Sequence, residues 1–493
     1  MLYFSTRNSK EKVTAAQAIS HGLAPDGGLY VPETLPQLTI EDIKELGRCD
    51  YRGRACKIMK LFLDEFTEDE LKSMVSKAYG DNFDSKNTAP VHFLDSKTAV
   101  LELWHGPTCA FKDMALQMLP HLLTASLKKC GEKRSVCILV ATSGDTGKAA
   151  LEGFADVENT KILVFYPHNG VSDVQQLQME TQTGSNVGVA AVRGNFDDAQ
   201  TGVKQIFGDG DFASKISEKG WFLSSANSIN WGRLLPQIVY YFSAYCDYAN
   251  SGYIKYGDKL DFVVPTGNFG NILACWYAKN MGLPVGKLIC ASNQNNVLAD
   301  FFAHGIYDRN RTFYTTISPS MDILVSSNLE RLLYSVCGND AEVAEYMSQL
   351  SKNGRYEVSD NIKSVISEHF VGGYCSDEDT KKSINDVYTQ YGYLMDTHTA
   401  VAYKKLKDYR AEEKSTAPTV VVSTASPYKF CDSVLNAIGK GSNAPGTELI
   451  EKLSEATGTP IPKPLFGLDK REKRFNLVVD KQDMIKTVAE FLE

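Results

Sequence analysis

Residues 135–150 read SVCILVATSGDTGKAA. An apolar run without alternation ends in a turn holding Gly144 and Gly147, and a helical pattern follows at once. A strand that is apolar at every position is covered on both faces. Strand, tight turn and helix in that order make the repeating unit of a parallel sheet. Working outward, the same kind of run recurs at KILVFYP (161–167), VGVAAV (187–192), DFVVP (261–265), KLICAS (287–292) and TVVVST (419–424). Most are separated by roughly 10–20 residues of helical periodicity. The chain is therefore expected to be α/β, with mostly parallel sheets covered by helices. Ahead of this rhythm lie a turn-rich entry, LAPDGGLYVPETLP (23–36), a charged helical stretch from Ile40 to Ala78, and a linker, GDNFDSKNTAP (80–90). Residues 325–410 are charged, helical in pattern and poor in strand signals. The expected division is an N-terminal domain (1–90), a core made of 91–324 and 411–493 with an embedded smaller lobe around 115–195, and a helical insertion (325–410).

The 493 residues carry 52 Lys and Arg against 60 Asp and Glu, a formal charge of −8. No basic stripe is available for a nucleic-acid backbone. No apolar run reaches the length of a membrane span, and Met1–Lys12 lacks the apolar centre of a signal peptide. The eleven cysteines include no C-x-x-C, and several, such as Cys137 and Cys290, sit in apolar runs, as reduced buried thiols do. The eight histidines form no H-E-x-x-H. A cytoplasmic protein without a metal site is expected.

In an open α/β sheet, ligands gather where strands end and helices begin. Three strands end in polar turns. SGDTG (143–147) suits a carboxylate or a phosphate, but it is no P-loop, because Thr142 stands where the first glycine belongs and Ala149 follows Lys148. TGNFGN (266–271) offers backbone N–H groups to a phosphate dianion or serves only as a turn. Ser423 and Thr424 end TVVVST as ligand groups or as a helix cap. A fourth segment, LWHGPTCAFKDMALQML (103–119), opens an apolar helix with Lys112, against the helix dipole. Lys112 is either a surface lysine with a buried stem or a buried amine of lowered pKa, suited to Schiff-base chemistry. Pro120 should kink or restart the helix.

Together with LAPDGGLYVP (23–32), GNFDDAQ (194–200), NSINWGRLLPQ (227–237), SPSMDI (318–323) and TASPYKF (424–430), these segments resemble the threonine synthases. Those are pyridoxal-phosphate enzymes of the tryptophan-synthase-β-like fold (fold type II). The likeness runs in order from about Phe4 to Ile438, with Cys109, Asn271 and Ser426 departing from the common pattern. The resemblance implies two open twisted sheets and pyridoxal 5′-phosphate bonded to Lys112, with Phe111 beside its ring. Gly267, Asn268, Phe269, Gly270 and Asn271 would hold its phosphate, and Thr424 would face its pyridine nitrogen. The implied reaction turns O-phospho-L-homoserine and water into L-threonine and phosphate by γ-elimination and β-addition, the last step of threonine biosynthesis. A related phospho-lyase or a threonine/serine dehydratase is the alternative. Ser143, Thr146 and neighbouring N–H groups would take the substrate carboxylate. Asp145 would hold a nearby hydroxyl or amide, since its charge repels a carboxylate. Lys148, Asn227, Ser228, Asn230 and Arg233 would take the leaving phosphate, the alternative for Lys148 and Arg233 being surface salt bridges. Modification of Cys109, three residues before Lys112, would inactivate. The expected partner is the small-molecule substrate alone, for a monomer or homodimer that binds neither nucleic acid nor membrane.

Overall fold

The computed structural model describes residues 1–142 and 144–493. All six apolar runs are strands, and they sort into two sheets. The larger sheet has the order Phe370–Tyr374, Val285–Ser292, Leu260–Pro265, Thr419–Ser423, Thr98–Glu102 and Val91–Phe93. Its neighbours are parallel except for the last pair. The smaller sheet has the order Leu477–Val479, Val187–Val192, Thr160–Pro167, Ser135–Ala141 and Trp221–Ser224, parallel throughout. Burial on both faces explains the unbroken apolar runs. Along Leu260–Pro265, Phe262 and Val264 pack into the core around the helix Trp231–Asn250, whereas Val263 packs with Val401 and Leu406 of the helix Thr397–Glu413.

Trp231–Asn250 is apolar on all sides and buried along almost its whole length, as a helix enclosed by protein must be. It stands between the large sheet and the N-terminal helices Ile40–Gly47 and Tyr51–Lys60. Residues 1–90 begin with a three-stranded antiparallel sheet, Leu2–Ser5, Asn8–Thr14 and Tyr30–Pro32. The helices Ile40–Gly47 and Glu68–Ala78 start on capping boxes, Thr39 with Asp42 and Thr67 with Glu70. Ile43, Ile58 and Phe62 share one core with Trp231 and Tyr240. The N-terminal residues thus form a layer on the α/β core.

Three boundaries differ from the sequence reading. Residues 325–410 are mostly helical, but they also supply Phe370–Tyr374, the edge strand of the large sheet. Its sequence, FVGGY, has no β-branched run to announce it. The small lobe extends past 115–195 to Trp221–Ser224, and it recruits Leu477–Val479 and the helix Met484–Leu492 from the chain's last residues. A three-residue edge strand carries too little pattern to be read alone. Among the described residues no helix is long and apolar enough to cross a membrane. All eleven cysteines are unpaired.

Candidate active site

Lys112 ends a loop that is folded around the next residue. The Asp113 carboxylate accepts the Thr108 N–H at 2.8 Å and the Thr108 hydroxyl at 2.7 Å. The loop is then zipped to the strand Thr419–Ser423 and the residues after it. The Leu103 N–H donates to the Ser423 carbonyl (3.0 Å), Phe111 N–H to the Thr424 carbonyl (2.8 Å), and Ser426 N–H to the Cys109 carbonyl (3.0 Å). These bonds bring Lys112 and Thr424 together across the sequence. A short helix, Asp113–Leu116, follows Lys112, and Leu119–Lys129 restarts with Pro120 in its first turn, where a missing N–H breaks no bond. Cys109 is buried, and burial pushes its thiol well up. The reactive thiol expected at Cys109 is therefore not what this environment favours, because thiolate formation is suppressed.

Burial pulls the half-buried Lys112 ammonium down to about 8, with Asp145 opposing and Arg233 and Lys429 assisting. Burial also pushes Asp113 up to about 7, against the two Thr108 donors. An unfolded Asp titrates near ~3.9. Between about pH 4 and about 7 the folded chain holds a proton that the unfolded chain has released, so stability falls as pH rises through that window. Asp113→Asn keeps an acceptor for the Thr108 N–H and removes the titration. Its urea midpoint should fall less than the parent's between roughly pH 5 and pH 8. An equal fall in both proteins would remove Asp113 as a source of that slope.

The second element is the turn between the strand Leu260–Pro265 and the helix Gly270–Asn280. Its carbonyls are tied away: Ser326 Oγ donates to Gly267 O (2.8 Å), and Asn328 donates to Asn268 O from N (3.1 Å) and Nδ2 (3.0 Å). Its N–H groups from Gly267 to Asn271 have no protein acceptor among the described residues. Phe269 sits in the left-handed region, φ 63°, held there by packing of its ring against Phe302 and Phe370. A Cβ on Gly267 would lie 2.8 Å from the Ser320 carbonyl, so only glycine lets that segment close over the turn. Asn271 Oδ1 accepts from Tyr240 (2.6 Å) and Tyr241 (2.7 Å), which leaves its Nδ2 buried without a partner. The fully buried Arg331 sets Asn328 in turn, donating to Asn328 Oδ1 (2.7 Å), Tyr30 O (3.0 Å) and Ile229 O (2.6 Å).

The third element is the turn 142–147. Thr142 Oγ1 accepts from Gly144 N (3.0 Å) and Gly147 N (2.9 Å), closing the loop where a P-loop would have glycine. Gly144 has φ 138°, and a Cβ there would lie 2.5 Å from the Gln175 side chain. Asp145 opens the helix Asp145–Phe154 and is buried. It accepts a hydrogen bond from Gln175 Nε2 (2.9 Å) and pairs with Lys429 at 2.8 Å. That pairing holds its carboxylate well below the usual range against the cost of burial. Thr146 follows in the first helical turn. Ser143 lies outside the described residues.

The residues expected at the leaving phosphate separate into two groups. Arg233 is 4% exposed, donates from one terminal nitrogen to Ala226 O (2.8 Å), and leaves its Nε without a partner. Burial lowers it to about 10. Ser228 accepts from Asn328 Nδ2 at 3.2 Å, beside the 267–271 turn. The others are engaged elsewhere or exposed. Lys148 pairs with Glu152 (2.8 Å) and also donates to Gln182. Asn230 caps Trp231–Asn250 through Gly232 N (2.8 Å) and donates to Ile19 O (2.9 Å). Asn227 is exposed. Sequence reading passed over Lys429, Asn328 and Arg331. Lys429 stood in the quoted TASPYKF block, where a lysine bracketed by aromatics was the available signal.

Comparison with known proteins accounts for this arrangement. Residues 2–79 match the family described as threonine synthase N terminus, 98–359 the pyridoxal-phosphate dependent enzymes, and 399–489 the C-terminal part of threonine synthase. A threonine synthase of Pseudomonas aeruginosa is 41% identical over 93% of this chain and 96% of its own length. The chain belongs to the threonine synthase family. The threonine synthase-like 1 protein of Macaca fascicularis is 40% identical over 97% of this chain, which spans 66% of that longer relative. The crystal structure of a PLP-bound threonine synthase from Brucella melitensis matches with a TM-score of 0.88 and 38% identity, covering 100% of this chain and 98% of its own.

The cofactor of this family, pyridoxal phosphate, fits the residues present. Its phosphate dianion matches a turn of free N–H groups at a helix start. The orphaned Asn271 Nδ2 lacks just such an acceptor. An amine whose pKa is lowered to about 8 is the kind that bonds a carbonyl group near neutral pH.

Proposed function

We propose that this chain converts O-phospho-L-homoserine and water to L-threonine and phosphate, with Lys112 as the lysine that bonds the cofactor. Arg233 carries the reading. A buried guanidinium without a carboxylate pays its desolvation for nothing unless an anion arrives. Its charge is felt at Lys112. A second anion seat, the 267–271 turn, is already suited to the cofactor. Two seats for phosphate, with the charge of one acting on Lys112, suit a phosphorylated amino-acid substrate.

Bound there, pyridoxal phosphate would draw electrons from the substrate's α-carbon and acidify its C–H bonds. The protein's groups do the rest. The backbone of Gly267, Asn268, Phe269, Gly270 and Asn271 would anchor the cofactor phosphate. Phe111 would flank its ring, and the Thr424 hydroxyl would face its ring nitrogen as a neutral partner. Thr146, with Ser143 and the first N–H groups of the helix Asp145–Phe154, seats the substrate carboxylate. Lys112 Nζ, near 8, takes and returns protons along the substrate chain at neutral pH. Arg233 and Ser228 hold the phosphate as its bond to Cγ breaks, and the water oxygen then bonds to Cβ. Unpaired cysteines throughout suit a reducing, cytoplasmic compartment.

Incubating the cofactor-loaded protein with phosphohomoserine tests the reading. Threonine and phosphate should appear in equal amounts. Release of 2-oxobutyrate and ammonia instead would assign the chain to a lyase or dehydratase reaction.

A further inference from the structure

The Lys429 side chain has no exposed surface. Its three N–H donors meet three acceptors: Asp145 Oδ1 at 2.8 Å, Gln178 Oε1 at 2.7 Å and Thr108 O at 3.2 Å. The acceptors come from the start of the helix Asp145–Phe154, the helix Asp173–Glu180, and the Lys112 loop. An ammonium with every donor engaged has no free proton to offer a substrate. Its task is therefore one of charge and placement.

Asp145 supplies the need for it. Its side chain is 3% exposed and stands at the turn assigned to the substrate carboxylate. Ionised and unpaired, it would repel that carboxylate and hold extra positive charge on Lys112. The charged groups that act most on Lys112 are Asp145, Arg233, Lys429 and Asp113. Among them, Asp145 and Lys429 are bonded to each other and act with opposite signs.

We propose that Lys429 is a positioning residue that neutralises Asp145 in place, so that the 142–147 turn accepts a carboxylate and the charge around Lys112 stays balanced. The carboxylate half rests on the function proposed above. The charge balance at Lys112 does not.

Four cofactor-loaded proteins decide it: the parent, Lys429→Met, Asp145→Asn and the double variant. The first readout is the pH midpoint of the holoenzyme's visible absorbance, which reports the cofactor-bonded lysine. Lys429→Met leaves Asp145 unopposed and should raise the midpoint by about one pH unit. Asp145→Asn leaves Lys429 unopposed and should lower it. The double variant should return close to the parent. The second readout is the KM for phosphohomoserine, which should rise tenfold or more in Lys429→Met, with kcat changed less, and largely recover in the double variant. A merely structural role predicts otherwise: both single variants would shift the midpoint the same way or not at all, and the double would be worse than either. That outcome overturns the proposal. If Lys429→Met does not fold, Asp145→Asn decides alone, and an unchanged or raised midpoint counts against. If the parent forms no threonine, the substrate reading fails while the absorbance cycle still judges the charge balance.

Discussion

Replacing Lys112 with alanine should leave a folded, colourless protein with no measurable turnover of phosphohomoserine. The loop that presents Lys112 is held by Asp113 on Thr108 and by the backbone bonds to residues 423–426, none of which uses the lysine side chain. Thermal unfolding of the apo-protein should therefore stay within a few degrees of the parent's, about what a substitution outside the core produces. Chemistry should fall by at least about 10³-fold, because one side chain both bonds the cofactor and carries the protons. Visible absorbance, borohydride trapping and a product assay on the same preparation check it. A variant that stays yellow and can be trapped would move the cofactor to another lysine.

Arg233→Met should have the second largest effect, and with opposite signs in two measurements. Phosphohomoserine binding should weaken by about 30- to 150-fold, as a buried charged partner contributes about 2–3 kcal/mol. The unliganded protein should be as stable as the parent or more so. The guanidinium is buried, pulled down to about 10, and pairs with no carboxylate among the described residues, so an apolar side chain of similar length removes a desolvation cost. KM from initial rates and Tm without phosphate provide the test. A lower Tm with unchanged KM would make Arg233 a structural residue that holds Ala226 O.

How far the sequence revealed this arrangement follows from what each residue is packed against. Strands such as Ser135–Ala141 and Leu260–Pro265 were readable because burial on both faces writes an unbroken apolar run. Phe370–Tyr374 and Leu477–Val479 were not, since glycines and shortness leave no such record, and only their sheet neighbours define them. Within the site, the 266–271 turn was legible as two glycines between a buried strand and a helix. That its carbonyls are tied down by Ser326 and Asn328 depends on a segment distant in sequence. Asn230 and Arg233 looked alike as polar residues of one block. Folding makes the first a helix cap and leaves the second a buried cation whose Nε has no partner among the described residues. The Asp145–Lys429 pair joins the segments that follow strands of two different sheets, so no local pattern marks it.

The central claim is that a phosphate leaves Cγ and a water oxygen arrives at Cβ in a site built around Lys112 and Arg233. The most direct measurement runs the reaction with phosphohomoserine in water labelled with heavy oxygen and weighs both products. The account predicts one labelled oxygen in the threonine hydroxyl and none in the released phosphate. Label in the phosphate with homoserine as its companion, or a keto acid in place of threonine, would contradict it.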